Sequence, residues 1–162
     1  MELEIEEKCV KLIATQQPAA KDLREIVTTL KIVTELERMG DYATDISKMV
    51  KRLPEQLASN GLEQLIKMSE EVANFLSAAI DCFIKKDDIE ALRLSVLDDE
   101  IDASYKKVLI WAMEYMRDHG KDASEVLELI LINKYLERMA DRATNICEWA
   151  IYLATGERKE LQ

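Results

Sequence analysis

The chain has 162 residues, of which 48% are hydrophobic and 33% are charged, and its formal net charge at pH 7 is −10. This composition excludes an intrinsically disordered chain, and the length suits one domain or two small ones. The acidic balance argues against a nucleic-acid-binding protein and against adsorption to an anionic membrane, because both need a basic surface.

Apolar residues recur at helical spacing throughout the chain, and leucine, isoleucine, alanine, glutamate, lysine and methionine dominate its composition. Both features predict an all-α protein. No segment alternates apolar and polar residues over the length that a half-buried strand requires. The five predicted helices cover residues 1–17, 18–53, 62–86, 89–117 and 122–154.

Turn-forming residues mark the ends of these helices. The residue before Pro18 is pushed out of the α region, which separates the first two helices. The pair Asn60–Gly61 is expected to break the chain before the third helix, and Asp87 and Asp88 are both suited to cap the fourth. Gly120 and Gly156 follow the last two helices, in the position where glycine ends a helix.

Cysteine usage and hydropathy bear on where the protein works. The three cysteines, Cys9, Cys82 and Cys147, form an odd set without close pairs, and the chain shows no secretory signal sequence. These features predict a reducing, cytoplasmic location. No apolar run approaches the roughly 20 residues that span a bilayer, so we expect no direct membrane insertion.

An eleven-residue segment occurs twice, 100 residues apart. Residues 36–46 read LERMGDYATDI and residues 136–146 read LERMADRATNI, with 8 of 11 positions identical, which indicates an internal duplication. On this offset the second half contains three helices and the first half only the last two of them. The sequence therefore predicts a tandem pseudo-repeat of three-helix bundles, with an incomplete repeat at 1–57 and a complete one at 58–156. A truncated chain is expected rather than a natural two-helix repeat, because two helices rarely bury their faces alone.

Each copy also carries an acidic row at a spacing of four, which places its side chains on one helical face. The candidate ligands are Glu37, Asp41 and Asp45 in the first copy, Glu137, Asp141 and Asn145 in the second, and Asp98 and Asp102 on the helix before it. Like charges at this spacing cost about 0.2–0.5 kcal/mol a pair. Such hard oxygen donors suit magnesium, manganese, calcium or iron. The competing interpretation is a solvated face of an amphipathic helix, and the rows are expected on the outside of the bundle.

Longer stretches around the duplicated segment carry a family resemblance. The sequences QQPAAKDLR at 16–24, LERMGD at 36–41 and LERMADRATNICE at 136–148 resemble the PhoU family of phosphate-uptake regulators. The resemblance covers nearly the whole chain, with both copies of the signature in the expected order. It implies two pseudo-symmetric three-helix bundles. It also implies multinuclear clusters of iron or zinc, or of magnesium or manganese, on Glu/Asp-xxx-Asp motifs.

On this chain those motifs fall on the acidic pairs already named, and the pairs at 98/102 and 137/141 make the second-repeat site complete. Of the equivalent motif on the helix before the first copy, only Glu2 is present. The resemblance further implies a cytoplasmic regulator that represses phosphate uptake. Its implied partners are the ATPase of the Pst phosphate ABC transporter and the PhoR sensor kinase.

An enzyme is not expected, because the sequence shows no nucleophile–base pair and no glycine-rich phosphate loop. A carboxylate-bridged di-metal enzyme is a weaker alternative, since such sites normally include Glu-xxx-His pairs and the single histidine, His119, is predicted in a turn. A structural interaction bundle whose acidic rows face solvent is the other alternative. Apolar surface exposed on the incomplete half predicts a homo-oligomer.

Overall fold

A computed structural model of the chain describes residues 1–53, 59–118 and 123–161. These residues form six α-helices and no strand, which confirms the all-α prediction. The helices, named α1 to α6 in chain order, cover Glu2–Gln16, Ala20–Val50, Ser59–Lys85, Asp88–Leu94, Val96–Asp118 and Ala123–Thr155. Within the described ranges, no helix combines the length and the apolar character needed to cross a bilayer.

Three helix ends follow the chemistry of the residues predicted to form them. Gln17, with φ of 45°, closes α1 in the left-handed conformation just before Pro18. The Asp87 carboxylate accepts the N–H of Glu90 at 3.0 Å, an N-cap of the kind that contributes about 1 kcal/mol. Gly156, with φ of 84°, follows the end of α6. The end predicted at Gly120 lies outside the described residues.

Two predicted boundaries are wrong. The helix predicted at 89–117 is divided at Ser95, whose hydroxyl donates to the carbonyl of Leu92 at 2.8 Å. Serine side chains compete with the helical backbone in this way, so a break needs neither proline nor glycine. The break predicted at Asn60–Gly61 is absent because both residues belong to α3. Gly61 is buried against the Trp111 ring, and tertiary packing there overrides the low helix propensity of glycine.

The second half of the chain is built around α6. Helices α3, α4 and α5 all pack against α6, and the largest fully buried side chains lie among these elements. They include Phe75, Met68, Ile101, Leu129 and Ile146. Among the described helices, α1 packs against α2 alone, and α2 packs in turn against α6. Helices α1 and α2 therefore form a hairpin that is attached to the bundle of α3 to α6 through α2.

The junction between α2 and α6 has an internal pseudo-symmetry. The Arg142 guanidinium donates to Glu35 Oε2 at 3.2 Å, and the rings of Tyr42 and Tyr135 lie 5.4 Å apart. The two pairs are related by the 100-residue offset, because residue 142 corresponds to residue 42 and residue 35 corresponds to residue 135. Because low numbers on α2 meet high numbers on α6, the two helices run antiparallel. A pseudo-two-fold axis therefore passes between them and relates the two copies of the duplicated segment.

Two glycines give opposite predictions for stability. Replacing Gly40 by Ala is expected to stabilise the protein by about 0.5–1 kcal/mol, because a Cβ there meets nothing within 4 Å and glycine lowers helix propensity. Residue 140, its counterpart in the other repeat, is already alanine. Replacing Gly61 by Ala is expected to destabilise, since a Cβ there would overlap the Trp111 ring. Urea unfolding of both variants measures the two effects, and equal effects would contradict this packing.

Candidate functional site

The acidic residues of the second repeat line one surface cavity of about 400 Å³. Helix α5 contributes carboxylates at its N-terminal end, and α6 contributes two more near its middle. The lining residues are Asp98, Asp99, Asp102, Glu137 and Asp141, with Ser95, Val96 and Leu161. The i,i+4 spacing on each helix puts two carboxylates on one face, and the packing of α5 on α6 turns these faces towards each other. The predicted pairs 98/102 and 137/141 are thus brought together.

Burial and mutual repulsion act on two of these carboxyls. Burial first, and then the charges of Glu137 and Asp98, together raise the pKa of Asp141 from 3.8 to about 6. Burial also raises the pKa of Asp98, while its hydrogen bond from Thr144 opposes the rise. Each of these aspartates therefore responds to charges on the other helix. Asp141 is only partly exposed, but it lines a surface cavity and so still lies on the outside of the bundle.

Two polar side chains from α6 hold acidic groups of the cavity. The Lys134 ammonium donates to both carboxylate oxygens of Glu137, at 2.7 and 2.6 Å. The Thr144 hydroxyl donates to Asp98 Oδ1 at 2.9 Å. On α5, Lys106 lies 3.6 Å from an oxygen of Asp102. Two of the carboxylates therefore already have a cationic neighbour on their own helix.

The donor chemistry of this cavity fits a hard cation. Every acidic group in it is a carboxylate, the ligand that magnesium, manganese and calcium prefer. As the side chains lie, the described residues contain no group of three histidine, cysteine, aspartate or glutamate side chains able to hold a metal ion. The Lys134 ammonium occupies the position beside Glu137 that a cation would take. Ligation would therefore require Glu137 to exchange this ammonium for the metal.

The first repeat presents its acidic row differently. Glu37 and Asp41 are exposed, and the pKa of Glu37 is raised by Asp41 first, then by burial and by Glu2. The effect of Glu2 shows that an acidic residue of α1 lies near this row. Asp45 pairs with Lys48 at 2.9 Å. Two of the three carboxylates of this row are therefore exposed, and the third is partly exposed.

Asn145 follows Asp141 by one helical turn but is not among the residues that line the cavity. Its side chain is only partly exposed. Of the predicted ligands in the second repeat, Asn145 is therefore the one that the fold places apart from the others. Asp99 takes part in the cavity instead, although the sequence interpretation gave it no role.

Leu161, in the segment that follows Gly156, forms part of the cavity wall. The Leu161 N–H donates to Glu148 Oε1 at 2.9 Å, and the Arg158 guanidinium lies 4.7 Å from the centroid of the Trp149 ring. Glu148 is only 6% exposed, so it is a buried acceptor for this returning segment. Neither Glu148 nor Leu161 is predicted from the sequence, because their contact depends on how the chain turns back after Gly156.

Lys134 and Thr144 were also missed as members of the site. Thr144 had a signal, since it is one of the positions identical in both copies of the duplicated segment. Lys134 had none beyond its i,i+3 spacing from Glu137. The three cysteines are buried, and burial raises the pKa of the Cys147 thiol to about 12, which suppresses the reactive thiolate.

Comparisons with known proteins agree on one family. The PhoU domain family matches residues 1–50 and 65–150. A phosphate-specific transport system accessory protein PhoU homolog from Clostridium acetobutylicum is 38% identical over 99% of this chain and 74% of its own length. A homolog from Pseudomonas putida is 39% identical over 96% of this chain, which spans only 61% of that protein.

A solved structure agrees with these sequence matches. The crystal structure of PhoU from Pseudomonas aeruginosa superposes with a TM-score of 0.91 at 35% identity, covering 96% of this chain and 75% of that one. The identity is high enough for the likeness to concern the family as well as the fold. The relatives are named as accessory proteins of a transport system, which agrees with the expectation that the chain is not an enzyme.

Proposed function

The chain belongs to the PhoU family, and from this premise we propose that it is an accessory regulator that represses phosphate uptake. The observation that carries the proposal is the family match in both repeats, over residues 1–50 and 65–150. The proposed partners are the ATPase of the Pst phosphate ABC transporter and the PhoR sensor kinase, at the cytoplasmic side of the membrane. Self-association is proposed through apolar side chains exposed on α1, including Leu3 at 71% and Val10 at 61%.

The proposal includes a cation bound in the acidic cavity of the second repeat. Asp98 and Asp102 on α5 and Glu137 and Asp141 on α6 would hold it, with iron, zinc, manganese or magnesium as the candidate ions. The raised pKa of Asp141 supports this, because a carboxyl that repels its neighbours gains from a positive ion. Asn145 and the first-repeat residues Glu37, Asp41 and Asp45 are assigned at most a weaker, separate site.

A bound cation would contribute electrostatic neutralisation and a link between two helices. The carboxylates come from α5 and α6, so an ion shared between them would fix the distance between these helices. Lys134 would release Glu137 and keep its contact with the Tyr105 ring, whose centroid lies 5.4 Å from the ammonium. The acidic face would then lose much of its charge, and its attraction for a basic partner surface would fall.

The regulatory role is tested in a bacterium that lacks its own PhoU protein. Expression of this chain is expected to reduce the rate of phosphate uptake and to recover the transporter ATPase with the protein on affinity purification. A variant carrying Glu137→Gln and Asp141→Asn, expressed at the same level, is the matched control for the acidic site. Unchanged uptake with the folded wild-type chain would contradict the regulatory proposal.

The second candidate function is a structural interaction bundle that binds no cation. The Lys134–Glu137 ion pair favours it, because this pair already neutralises part of the acidic face. It predicts equal partner recovery for the wild type and the double variant. Equal recovery, together with no heat of Mn²⁺ binding, would establish this function instead.

A further inference from the structure

Thr144 makes an unusual hydrogen bond for a threonine inside a helix. Thr144 is fully buried. Its hydroxyl lies 2.9 Å from Asp98 Oδ1 on α5 and 3.3 Å from the Ala140 carbonyl oxygen on its own helix. A helical threonine ordinarily bonds the carbonyl one turn back. Here the shorter contact goes to the carboxylate of the neighbouring helix.

The duplicated segment supplies an internal comparison. Thr44 occupies the same position in the first repeat, and its hydroxyl donates to the Gly40 carbonyl at 3.0 Å. Thr44 is exposed, whereas Thr144 is buried. The same residue in the same local sequence therefore bonds a carboxylate only in the repeat that has α5 beside it. The interhelical bond is a property of the acidic cavity and not of the helix that carries the threonine.

We propose that Thr144 is a positioning residue that orients the Asp98 carboxylate for cation binding. The inference rests on the proposed cation site and goes beyond it by assigning a role to a residue that would not touch the ion. Engaging Oδ1 fixes the rotation of the carboxylate and leaves Oδ2 for a ligand. Asp98 is the first carboxylate of α5 and lies close to the break at Ser95.

The energetic consequence follows from how metal sites are built. Carboxylate ligands are usually held by a hydrogen bond from a residue behind them, and removing that residue costs about 10–100-fold in metal affinity. Valine has nearly the shape of threonine but lacks the hydroxyl. Replacing Thr144 by Val therefore removes the bond to Asp98 with little change in packing volume. Serine retains the hydroxyl and loses only a methyl group.

The test compares three full-length variants, Thr144→Val, Thr144→Ser and Thr44→Val, with the wild type. Each is stripped with chelator, dialysed, and titrated with Mn²⁺ by calorimetry. Thr144→Val is expected to weaken binding at least about 10-fold, whereas Thr144→Ser keeps affinity within about threefold. Thr44→Val, the matched change in the first repeat, is expected to leave the affinity unchanged. Thermal unfolding of the metal-free proteins records how much each change affects the fold.

The outcomes separate this role from a merely structural one and from the cation proposal itself. If Thr144→Val lowers thermal stability but binds Mn²⁺ like the wild type, the positioning role is overturned and the cation site stands. If Thr144→Val and Thr44→Val weaken binding equally, the role is also overturned, because the effect is not specific to Asp98. If the folded wild type binds neither Mn²⁺ nor Mg²⁺, Fe²⁺ or Zn²⁺, the cation proposal fails and this inference fails with it.

Discussion

Replacing Glu137 by Gln and Asp141 by Asn is expected to weaken cation binding at least about 100-fold, because two of the proposed ligands are lost and each substitution removes a charge. The amide side chains keep nearly the same size, so the packing of α5 on α6 is retained. Calorimetric titration with Mn²⁺ and elemental analysis of protein purified without chelator measure the effect. The wild type is expected to carry metal and the variant to carry none.

The duplicated segment provides the matched control. Glu37→Gln with Asp41→Asn makes the same chemical change on the same helical face of the first repeat. Its effect on Mn²⁺ binding is expected to be less than about threefold, because both of those carboxylates are exposed to solvent. Equal losses in the two double variants would show that the cation is held by exposed acidic rows in general. That result would contradict the assignment to the cavity.

The second large effect concerns stability and pH in the absence of metal. Asp141→Asn is expected to raise the free energy of unfolding at pH 7.5 by about 1–2 kcal/mol relative to the wild type. The pKa of Asp141 is raised in the folded protein from 3.8 to about 6, so folding favours its protonated form. That difference corresponds to at most about 3 kcal/mol, and solvent screening at this partly exposed group reduces it.

The direction of the pKa shift of Asp141 determines the pH range over which the stabilities of the two proteins differ. A carboxyl whose pKa is raised by folding contributes stability below its unfolded value, and this contribution is lost as the pH rises through its folded value. The wild type and Asp141→Asn are therefore expected to converge near pH 4 and to diverge between pH 4 and about 6, reaching the full difference above that. Urea unfolding at pH 4, 5.5 and 7.5 measures this. Asp45→Asn, at an exposed residue paired with Lys48, is the control and is expected to show no such divergence.

Saturating Mn²⁺ is expected to narrow or reverse the difference in free energy of unfolding between the wild type and Asp141→Asn at pH 7.5. An ion that binds only the folded wild type stabilises it by mass action, and the variant with the weakened site gains less. A constant gap between the two proteins at every pH, with and without Mn²⁺, would mean that Asp141 does not experience the other carboxylates. The cavity would then be an ordinary solvated surface.

Comparison of the predicted with the observed helix boundaries shows which features of the fold can be predicted from the sequence. Helix α6 was predicted at 122–154 and is found at Ala123–Thr155, because a long apolar periodicity followed by Gly156 leaves little choice. The division of the helix at Ser95 was not predicted, since it depends on one side-chain hydrogen bond rather than on a breaking residue. Gly61 was assigned to a turn because its propensity is a local property, whereas its contact with Trp111 joins residues far apart in the chain.

The residues of the candidate site likewise divide into those that the sequence predicts and those that it does not. Spacing placed the carboxylates of each row on one helical face, and the duplication indicated that the second row has an acidic partner helix. The role of Lys134 beside Glu137, of Thr144 behind Asp98 and of Leu161 at the cavity wall was not predicted. Each depends on a rotamer or on an approach of two segments, and periodicity carries no information about either.

The sequence by itself determined the helical class, the duplicated segment and the spacing of the acidic pairs. These follow from composition, periodicity and self-similarity, which are local or repeated properties of the chain. Only the tertiary structure decided how deeply the carboxylates of each row are buried. Packing of α5 against α6 half-buries Asp141, whereas Asp41 remains exposed. Burial strengthens repulsion between carboxylates, and burial depends on which helices pack together rather than on the motif itself.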